Sequence, residues 1–458
     1  NPSASVKELE HQFKDSGARA VVVLANNAQK IEQALKKSSQ VGTVIVTESG
    51  DLLPRVKRLL VNNFEKYLKK AVPAYSIPGS LKLLKALSLG ARRPFRRVDL
   101  KVDSLAALQY TGGTTGLSRG VMLTHGNLLA NVTQVKMALS ADIEDSKEIV
   151  VNPLPLFHIY PLMMTLGVFL EMGCHTVLIA DPNNTDGFFR ELSKWKVSVI
   201  LGVDSVLDKL SHHELFRHLD FSALKLTTAG GSALLIPTAR RWRKLTGGDV
   251  TEGYGLSETS AVVSINPVNG IQMGTVGIPL AYTEIKIVDE EENTLSHGEV
   301  GELCVRGPQV MKGYWGRPEE TKLVLSDDRW LKTGDIAMIQ NDGYLRIIDR
   351  KNDMIMVAGF KVFPKEVEEI LCGHPQIQEC AAIGLSDPDF GQHIKIFVVS
   401  NDEELTEELL REYCRGRLTA YKVPKYIEFL PSLPKSNIGK LLRRELLETA
   451  SKSEVRAA

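Results

Sequence analysis

The chain has 458 residues, of which 43% are hydrophobic and 24% charged. That balance belongs to a folded globular protein and excludes a disordered chain or a small disulfide scaffold. Lys and Arg number 56 against 55 Asp and Glu, so the net charge of +1 provides no global field for nucleic acid or an acidic partner.

At about 150 residues per domain, this length suits three domains, or one large and one small. The opening residues, Asn1-Pro2-Ser3 with Lys7, Glu8 and Glu10 behind them, do not read as a secretory signal. β-Branched runs at 20–24 and 41–47 predict strands. Residues 54–101 then carry 13 Lys and Arg against two acids, Glu65 and Asp99. Across the start of that stretch Leu52, Leu53, Val56, Leu59, Leu60, Phe64, Tyr67 and Leu68 recur near helical spacing, with Arg55, Lys57, Arg58, Lys66, Lys69 and Lys70 between them.

Further strands are expected at 105–110, 149–152, 176–180 and 197–201, with one helix capped at Thr124 and another over 186–196. The alternation predicts an α/β region with a largely parallel sheet. The most apolar window, 160–180, is broken by Glu171, Gly173 and His175. Its uncharged run stops at Leu170, too short to span a bilayer, and reads as a buried helix followed by a strand.

After about Thr275 the texture turns β-rich, with strands at 284–288, 301–306 and 336–339. Asn341-Asp342-Gly343 marks a hairpin turn into 344–348. The polar run Asp349-Arg350-Lys351-Asn352-Asp353 reads as a linker. Beyond it, helices over 366–371 and 404–418 and strands at 381–384 and 395–399 make a small α+β unit. Five cysteines, Cys174, Cys304, Cys372, Cys380 and Cys414, show no C-x-x-C spacing, which suits free thiols in a reducing compartment and gives no zinc-ligand pattern.

Five segments carry chemistry. Tyr110-Thr111-Gly112-Gly113-Thr114-Thr115-Gly116-Leu117-Ser118-Arg119-Gly120 follows a predicted strand. Its glycines let backbone N–H groups turn toward an anion, its threonines add hydroxyl donors and Arg119 adds charge, so it reads as a phosphate cradle. It lacks P-loop spacing, and its plain alternative is a Gly/Thr turn. Glu252-Gly253-Tyr254-Gly255-Leu256-Ser257-Glu258-Thr259 places a ring, a hydroxyl and a carboxylate close together. A ring stacks on a base and a carboxylate holds Mg²⁺ that rides on phosphates; a surface loop N-capped by Ser257 is the equal alternative.

Lys332-Thr333-Gly334-Asp335 puts a carboxylate on a tight turn, where it can accept bonds from ribose hydroxyls or be a turn only. The charged run from Asp349 to Asp353, followed by Gly359-Phe360-Lys361-Val362, is otherwise a solvated hairpin. Pro434-Lys435-Ser436-Asn437-Ile438-Gly439-Lys440 sets a lysine behind a shaped loop, to reach a remote site or to sit on the surface.

In this order and at these separations the five segments resemble the adenylate-forming superfamily of acyl-CoA synthetases, peptide-synthetase adenylation domains and luciferases. The likeness covers nearly the whole chain, and residues 343–368 and 434–444 are most similar to bacterial long-chain fatty acid–CoA ligases. The resemblance implies a two-step reaction. A carboxylate attacks the α-phosphate of Mg·ATP to give acyl-AMP and pyrophosphate, and the thiol of coenzyme A then opens the mixed anhydride.

By motif match, Thr111, Gly112, Gly113, Thr114, Thr115, Gly116 and Arg119 hold the β,γ-phosphates. Tyr254 lies against adenine, with Gly230, Gly231 and Gly255 along the nucleotide pocket. Ser257 touches phosphate, Glu258 ligates Mg²⁺, Asp335 takes the ribose hydroxyls and Arg350 reaches the ribose-phosphate side. Lys440 bridges the acyl carboxylate and the α-phosphate. His158, in Pro155-Leu156-Phe157-His158, matches a position near the acyl carboxylate, or is a packed core histidine. Gly359 borders the pantetheine tunnel, and Asp349 is the hinge on which the small domain swings.

The same resemblance implies a large α/β region at 1–275, without the family's leading segment, and a β-rich subdomain at 276–348. A hinge at 349–352 and a small mobile α+β C-terminal domain at 353–458 follow. Arg119 stands where the family usually has Lys, which keeps the charge but replaces a point charge with a planar fork. Ser257 stands where Thr is common.

The implied partners are a long-chain fatty acid, ATP, Mg²⁺ and coenzyme A, with a homodimer expected and no nucleic acid. Cytoplasmic residence follows, with a place in lipid metabolism such as β-oxidation. The basic amphipathic stretch within 52–101 adds an expected peripheral contact with an anionic inner membrane face. Two alternatives remain beside the CoA ligase: an acyl-AMP ligase that loads a carrier protein, and a truncated nucleotide-binding non-enzyme.

Overall fold

The computed structural model describes residues 1–38, 40–111, 118–182, 184–387, 390–402, 404–436 and 439–457, with side chains to residue 450. Backbone contacts gather it into two compact units: residues 1–125 with 311–321, and residues 126–310 with 322–458.

The first unit holds a parallel sheet of Ala20–Leu24, Thr43–Thr47 and Leu81–Lys82. Helices Val6–Ser16 and Ala28–Leu35 cover it through Phe13, Ile31 and Ala34, which pack with Val44 and Val46. The first helix is set by a capping box: Ser5 Oγ accepts from the Glu8 N–H while the Glu8 carboxylate accepts from the Ser5 N–H. A second, antiparallel sheet joins Leu105–Thr111, Arg119–Thr124 and Gly313–Tyr314. It carries both ends of the Gly/Thr loop. Helix Arg55–Asn63 and the wider-wound turn Phe64–Leu68 form where the apolar spacing predicted them, but no residue of either is buried.

The second unit is built on a seven-stranded sheet. Its spatial order is Ile278–Pro279, Ser264–Ile265, Val250–Tyr254, Leu226–Ala229, Val199–Gly202, Ile149–Asn152 and His175–Leu178. The last five run parallel and the first two antiparallel. Phe188, Phe189, Leu207, Phe216 and Trp242 from the surrounding helices and turns fill the core on one face. The apolar window becomes the helix Ile159–Leu162, continues as the wider-wound Met163–Phe169 and reaches the strand His175–Leu178 after a turn. Among the described residues no helix is long and apolar enough to cross a membrane.

The β-rich segment is an antiparallel sheet of Glu284–Val288, Gly301–Arg306, Leu331–Ile339 and Leu345–Arg350, the last two joined by the Asn341-Asp342-Gly343 turn. Here one expectation changes. Thr333, Gly334 and Asp335 lie inside the long strand Leu331–Ile339 and not on a tight turn. Gly334 has φ +70°, and the register slips between Ile336 and Ala337, so the strand is kinked where its glycine reads as a turn signal.

The C-terminal part forms a sheet of Phe360–Val362, Ile355–Val357, Gly391–Ser400 and Ile377–Asp387, with Tyr426–Phe429 parallel to Gly391–Ser400. Helices Pro364–Cys372 and Glu407–Arg415 pack on it through Val367, Leu371, Leu410 and Cys414. The second helix starts later than 404 because the Thr406 side chain caps it by accepting from the Leu409 N–H.

Candidate functional site

Tyr254 ends the central-sheet strand Val250–Tyr254, and Asp335 sits in the long strand of the β-rich sheet. The Tyr254 hydroxyl donates to Asp335 Oδ2 at 2.5 Å, and Arg350 Nε pairs with Asp335 Oδ1 at 2.8 Å. Arg350 reaches this place because strand pairing sets it directly opposite Asp335. Asp335 is buried, and its carboxyl is pushed up by burial, a rise that the Arg350 guanidinium and the tyrosine hydrogen bond oppose. Burial likewise raises the Tyr254 phenol well above its ordinary range, with the adjacent Asp335 charge adding to it. The phenol therefore stays a donor. Among the described residues each carboxylate oxygen of Asp335 has one hydrogen-bonding partner, which leaves a second lone pair on each, the capacity two further hydroxyl donors require.

Lys440 belongs to the same cluster. Its ammonium pKa is lowered, first by desolvation and then by Arg350, while Asp335, Asp353 and Glu258 pull it back up. The residue is exposed to solvent, yet protein crowds its ammonium closely enough to disfavour the charge. Gly439, immediately before it, has φ +75°, and a Cβ there would lie 2.1 Å from Ser205 Oγ. Two cations, Arg350 and Lys440, thus converge beside the carboxylates of Asp335 and Glu258. This is a charge pattern that can accept a phosphate between them.

Gly255 makes the turn possible. The chain doubles back over it through Ser260 and Ala261, both at positive φ, and Val263 N–H donates to Tyr254 O at 2.8 Å. A Cβ at Gly255 would sit 1.6 Å from Ala261 O. Ser257 and Glu258 occupy the half-buried 3₁₀ turn Ser257–Thr259, which is preceded by Leu256, so Ser257 is its first residue and not its cap. Gly230 is buried under the Tyr160 ring, 3.5 Å from where its Cβ would be, and Gly231 adopts φ +80°.

His158 stands at the start of helix Ile159–Leu162, with its ring 4.4 Å from that of Phe157. Burial lowers its pKa to about 4, so it is a neutral imidazole near pH 7. Asp349 uses both carboxylate oxygens: Oδ1 accepts from the Arg350 N–H and Oδ2 from the Lys365 N–H, each at 2.8 Å. Lys365 lies in the first turn of helix Pro364–Cys372, whose flanking Phe363 supplies no side-chain cap, so Asp349 caps that helix from outside. Gly359 has φ +83° directly after Ala358 at φ +50°, and no atom of the described residues lies within 4 Å of where its Cβ would be. Backbone conformation, rather than crowding, favours glycine there.

In the first unit, Thr111 ends its strand and Arg119 begins the next. Arg119 Nε pairs with Glu320 at 2.8 Å and its guanidinium lies 5.3 Å from the Tyr314 ring centroid. Gly112, Gly113, Thr114, Thr115 and Gly116 lie outside the described residues.

Sequence reasoning missed three groups. Glu252 is buried, accepts the Leu234 N–H at 2.9 Å and is pushed up to about 7 by desolvation. Asp204 accepts the next amide, Leu235 N–H, at 2.8 Å, and burial raises it as well. Together they fasten the segment that follows Gly230 and Gly231. Tyr160 donates to Gly202 O at 3.4 Å, and its hydroxyl lies 2.7 Å from Thr228 Oγ1. An acid within the Val-Thr-Glu end of a buried strand was the available signal for Glu252; Asp204 and Tyr160 had none.

The AMP-binding enzyme family matches residues 1–315, and the AMP-binding enzyme C-terminal domain matches residues 366–440. The long-chain-fatty-acid–CoA ligase of Escherichia coli O157:H7 is 46% identical over 451 residues, covering 98% of this chain and 80% of the relative. That of Salmonella typhimurium is 45% identical with the same coverage. The ATP-bound structure of MatB from Rhodopseudomonas palustris superposes with a TM-score of 0.79 at 26% identity, over 98% of this chain and 82% of that one. The chain belongs to the AMP-binding enzyme family.

Proposed function

We propose that the chain joins a long-chain fatty acid to coenzyme A through an acyl-AMP intermediate. The observation that carries this reading is the convergence of Tyr254, Asp335, Arg350 and Lys440 in one cluster. The fatty acid carboxylate attacks the α-phosphate of ATP, the bond to pyrophosphate breaks and acyl-AMP forms. The coenzyme A thiol then attacks the acyl carbon, and AMP leaves with the former carboxylate oxygen. Tyr254 provides a ring face for adenine, and the spare lone pairs of Asp335 accept the ribose hydroxyls. Arg350 and Lys440 offset the negative charge at the α-phosphate, where preorganised cations have the most effect. Neutral His158 borders the acyl carboxylate without competing for its charge. Thr111, the glycine-rich loop after it and Arg119 hold the outer phosphates, with Ser257 contributing its hydroxyl.

Among the described residues no group of three or more His, Cys, Asp and Glu side chains could hold a metal ion unaided. Glu258 offers a single carboxylate, a donor set that suits Mg²⁺ already carried on ATP phosphates. That ion would neutralise phosphate charge.

ATP–pyrophosphate exchange with palmitate, run with and without coenzyme A, tests the reading: exchange together with palmitoyl-CoA is expected. Exchange without thioester would transfer the activity to a carrier-protein ligase. Lys440→Ala should abolish adenylation yet spare thioester formation from supplied acyl-AMP; equal loss of both steps would remove the role given to this lysine.

We place the enzyme in the cytoplasm, as a homodimer feeding β-oxidation, and peripherally on an anionic membrane face. Leu52, Val56, Leu60 and Leu68 are each at least 66% exposed, interleaved with Arg55, Lys57, Arg58, Lys66, Lys69 and Lys70. Such a surface matches an anionic leaflet from which an apolar substrate would be drawn. Charge reversal at Lys66, Lys69 and Lys70 should release the protein from anionic vesicles, and unchanged binding would remove the membrane assignment.

A further inference from the structure

All five cysteines are free thiols, but two of them are not isolated. Cys372 is the last residue of helix Pro364–Cys372, and Cys380 lies in the strand Ile377–Asp387 onto which that helix packs. Their sulfurs are 3.4 Å apart, eight residues apart in sequence. Cys380 is buried, and its one S–H faces both the Cys372 sulfur and, at 3.5 Å, the Glu368 carbonyl, whereas Cys372 is half-buried. The local fold therefore presents one half-buried cysteine with a second, buried one directly behind it.

We propose that Cys372 and Cys380 form a hydroperoxide-reactive dithiol that closes to an intradomain disulfide. Cys372 is the attacking sulfur. The Cys380 S–H hydrogen bond favours its thiolate, lowering its pKa, while the same bond and burial raise that of Cys380. The remaining thiols are poor competitors: burial raises Cys174, and pushes Cys304 and Cys414 up to about 11.

The Cys372 thiolate attacks one peroxide oxygen. The O–O bond breaks, hydroxide leaves and takes up a proton, and Cys372 becomes a sulfenic acid. Cys380 sulfur then attacks the sulfenic sulfur, the S–S bond forms, and the sulfenic oxygen departs as water with the Cys380 proton. Two electrons pass from the dithiol to the peroxide, and two waters result. Closure needs the sulfurs to move from 3.4 Å to the about 2.05 Å of a disulfide, a shift that side-chain torsions at a helix end can supply. The bond would fasten to the sheet the far end of the helix whose first turn is capped by Asp349.

The test treats the reduced, full-length protein with hydrogen peroxide, blocks remaining thiols with iodoacetamide, and maps the peptides by mass spectrometry. Two of the five thiols should disappear first, as one cross-linked pair containing Cys372 and Cys380, and dithiothreitol should restore them. Cys380→Ser should leave Cys372 as a dimedone-reactive sulfenic acid with no cross-link. Cys372→Ser should slow the oxidation of Cys380 by at least tenfold. A cross-link seen only in denaturant, a different pairing, or equal oxidation of Cys380 in the Cys372→Ser variant would overturn the proposal.

Discussion

Gly255→Ala is the substitution whose cost the backbone specifies most directly. A Cβ at Gly255 lies 1.6 Å from Ala261 O, 2.5 Å from Ala261 C and 2.9 Å from Val262 Cα, all of them backbone. No side chain can rotate away, so the returning chain must retreat by roughly 2 Å to reach an ordinary contact. That retreat acts on the Val263 N–H bond to Tyr254 O and on both Asn131 bonds to Val262, donated at 2.7 Å and accepted at 3.1 Å. Each buried bond left unmade costs about 1–3 kcal/mol. With partial repair the loss comes to about 4 kcal/mol, a large share of the roughly 5–15 kcal/mol typical of a folded domain. Thermal melting should show a fall of roughly 10 °C, and ATP–pyrophosphate exchange should fall further, since Tyr254 and the Ser257–Thr259 turn are carried on the displaced backbone. Gly274→Ala is the control: φ is +82° there, but among the described residues nothing lies within 4 Å of the new Cβ, so only the left-handed backbone cost of about 1–2 kcal/mol applies. Equal losses for the two variants would refute the steric argument.

Asp349→Ala deletes the external cap of helix Pro364–Cys372, at about 1 kcal/mol. The orientation that places Lys440 by Asp335 should then be less populated, and adenylation should fall about fivefold relative to thioester formation from supplied acyl-AMP; an unchanged ratio in single-turnover measurements would count against a role for this cap in placing Lys440. Glu252→Gln tests the buried carboxyl. Its pKa of about 7, against an ordinary 4.5, means that between those values the folded state holds a proton that the unfolded state lacks. Stability conferred by the neutral carboxyl is present below pH 4.5 and is lost as pH rises toward 7, by about 3 kcal/mol in all. The glutamine variant should show a flatter denaturation profile across that window, with the Leu234 N–H bond kept by its side-chain oxygen.

Much of this architecture was legible because its strands obey local rules. Residues 149–152, 284–288 and 301–306 are β-branched or alternating runs between turn residues, and the strands they predict have the bounds observed. Asn341-Asp342-Gly343 has one favourable use, the hairpin it makes. The reading failed where tertiary pairing overrode local chemistry. Gly334 carries a turn's signature inside a strand because Asp335 must face Arg350 across the sheet, and no local preference reports a partner 15 residues away. The helix at 407–415 was read too long for a similar reason: Thr406 is one polar residue among many until its hydroxyl meets the Leu409 amide. Asp204 and Glu252 were invisible as a pair because only the fold aims two carboxylates at successive amides.

The parallel sheet brings residues far apart in sequence to one edge. In an open α/β sheet, ligands gather beyond the carboxyl ends of the strands. His158 follows the strand Ile149–Asn152, Asp204 follows Val199–Gly202, Gly230 and Gly231 follow Leu226–Ala229, and Tyr254 terminates Val250–Tyr254. All of them emerge on the same edge, Tyr254 as the last residue of its strand and the others in the segments that follow theirs. Asp335 and Arg350 reach the cluster differently, through antiparallel pairing in a separate sheet, which is why their segments resembled turns and hairpins when read singly. Lys440 follows neither rule. It arrives behind Gly439, which packs against Ser205 just beyond the carboxyl end of the strand Val199–Gly202.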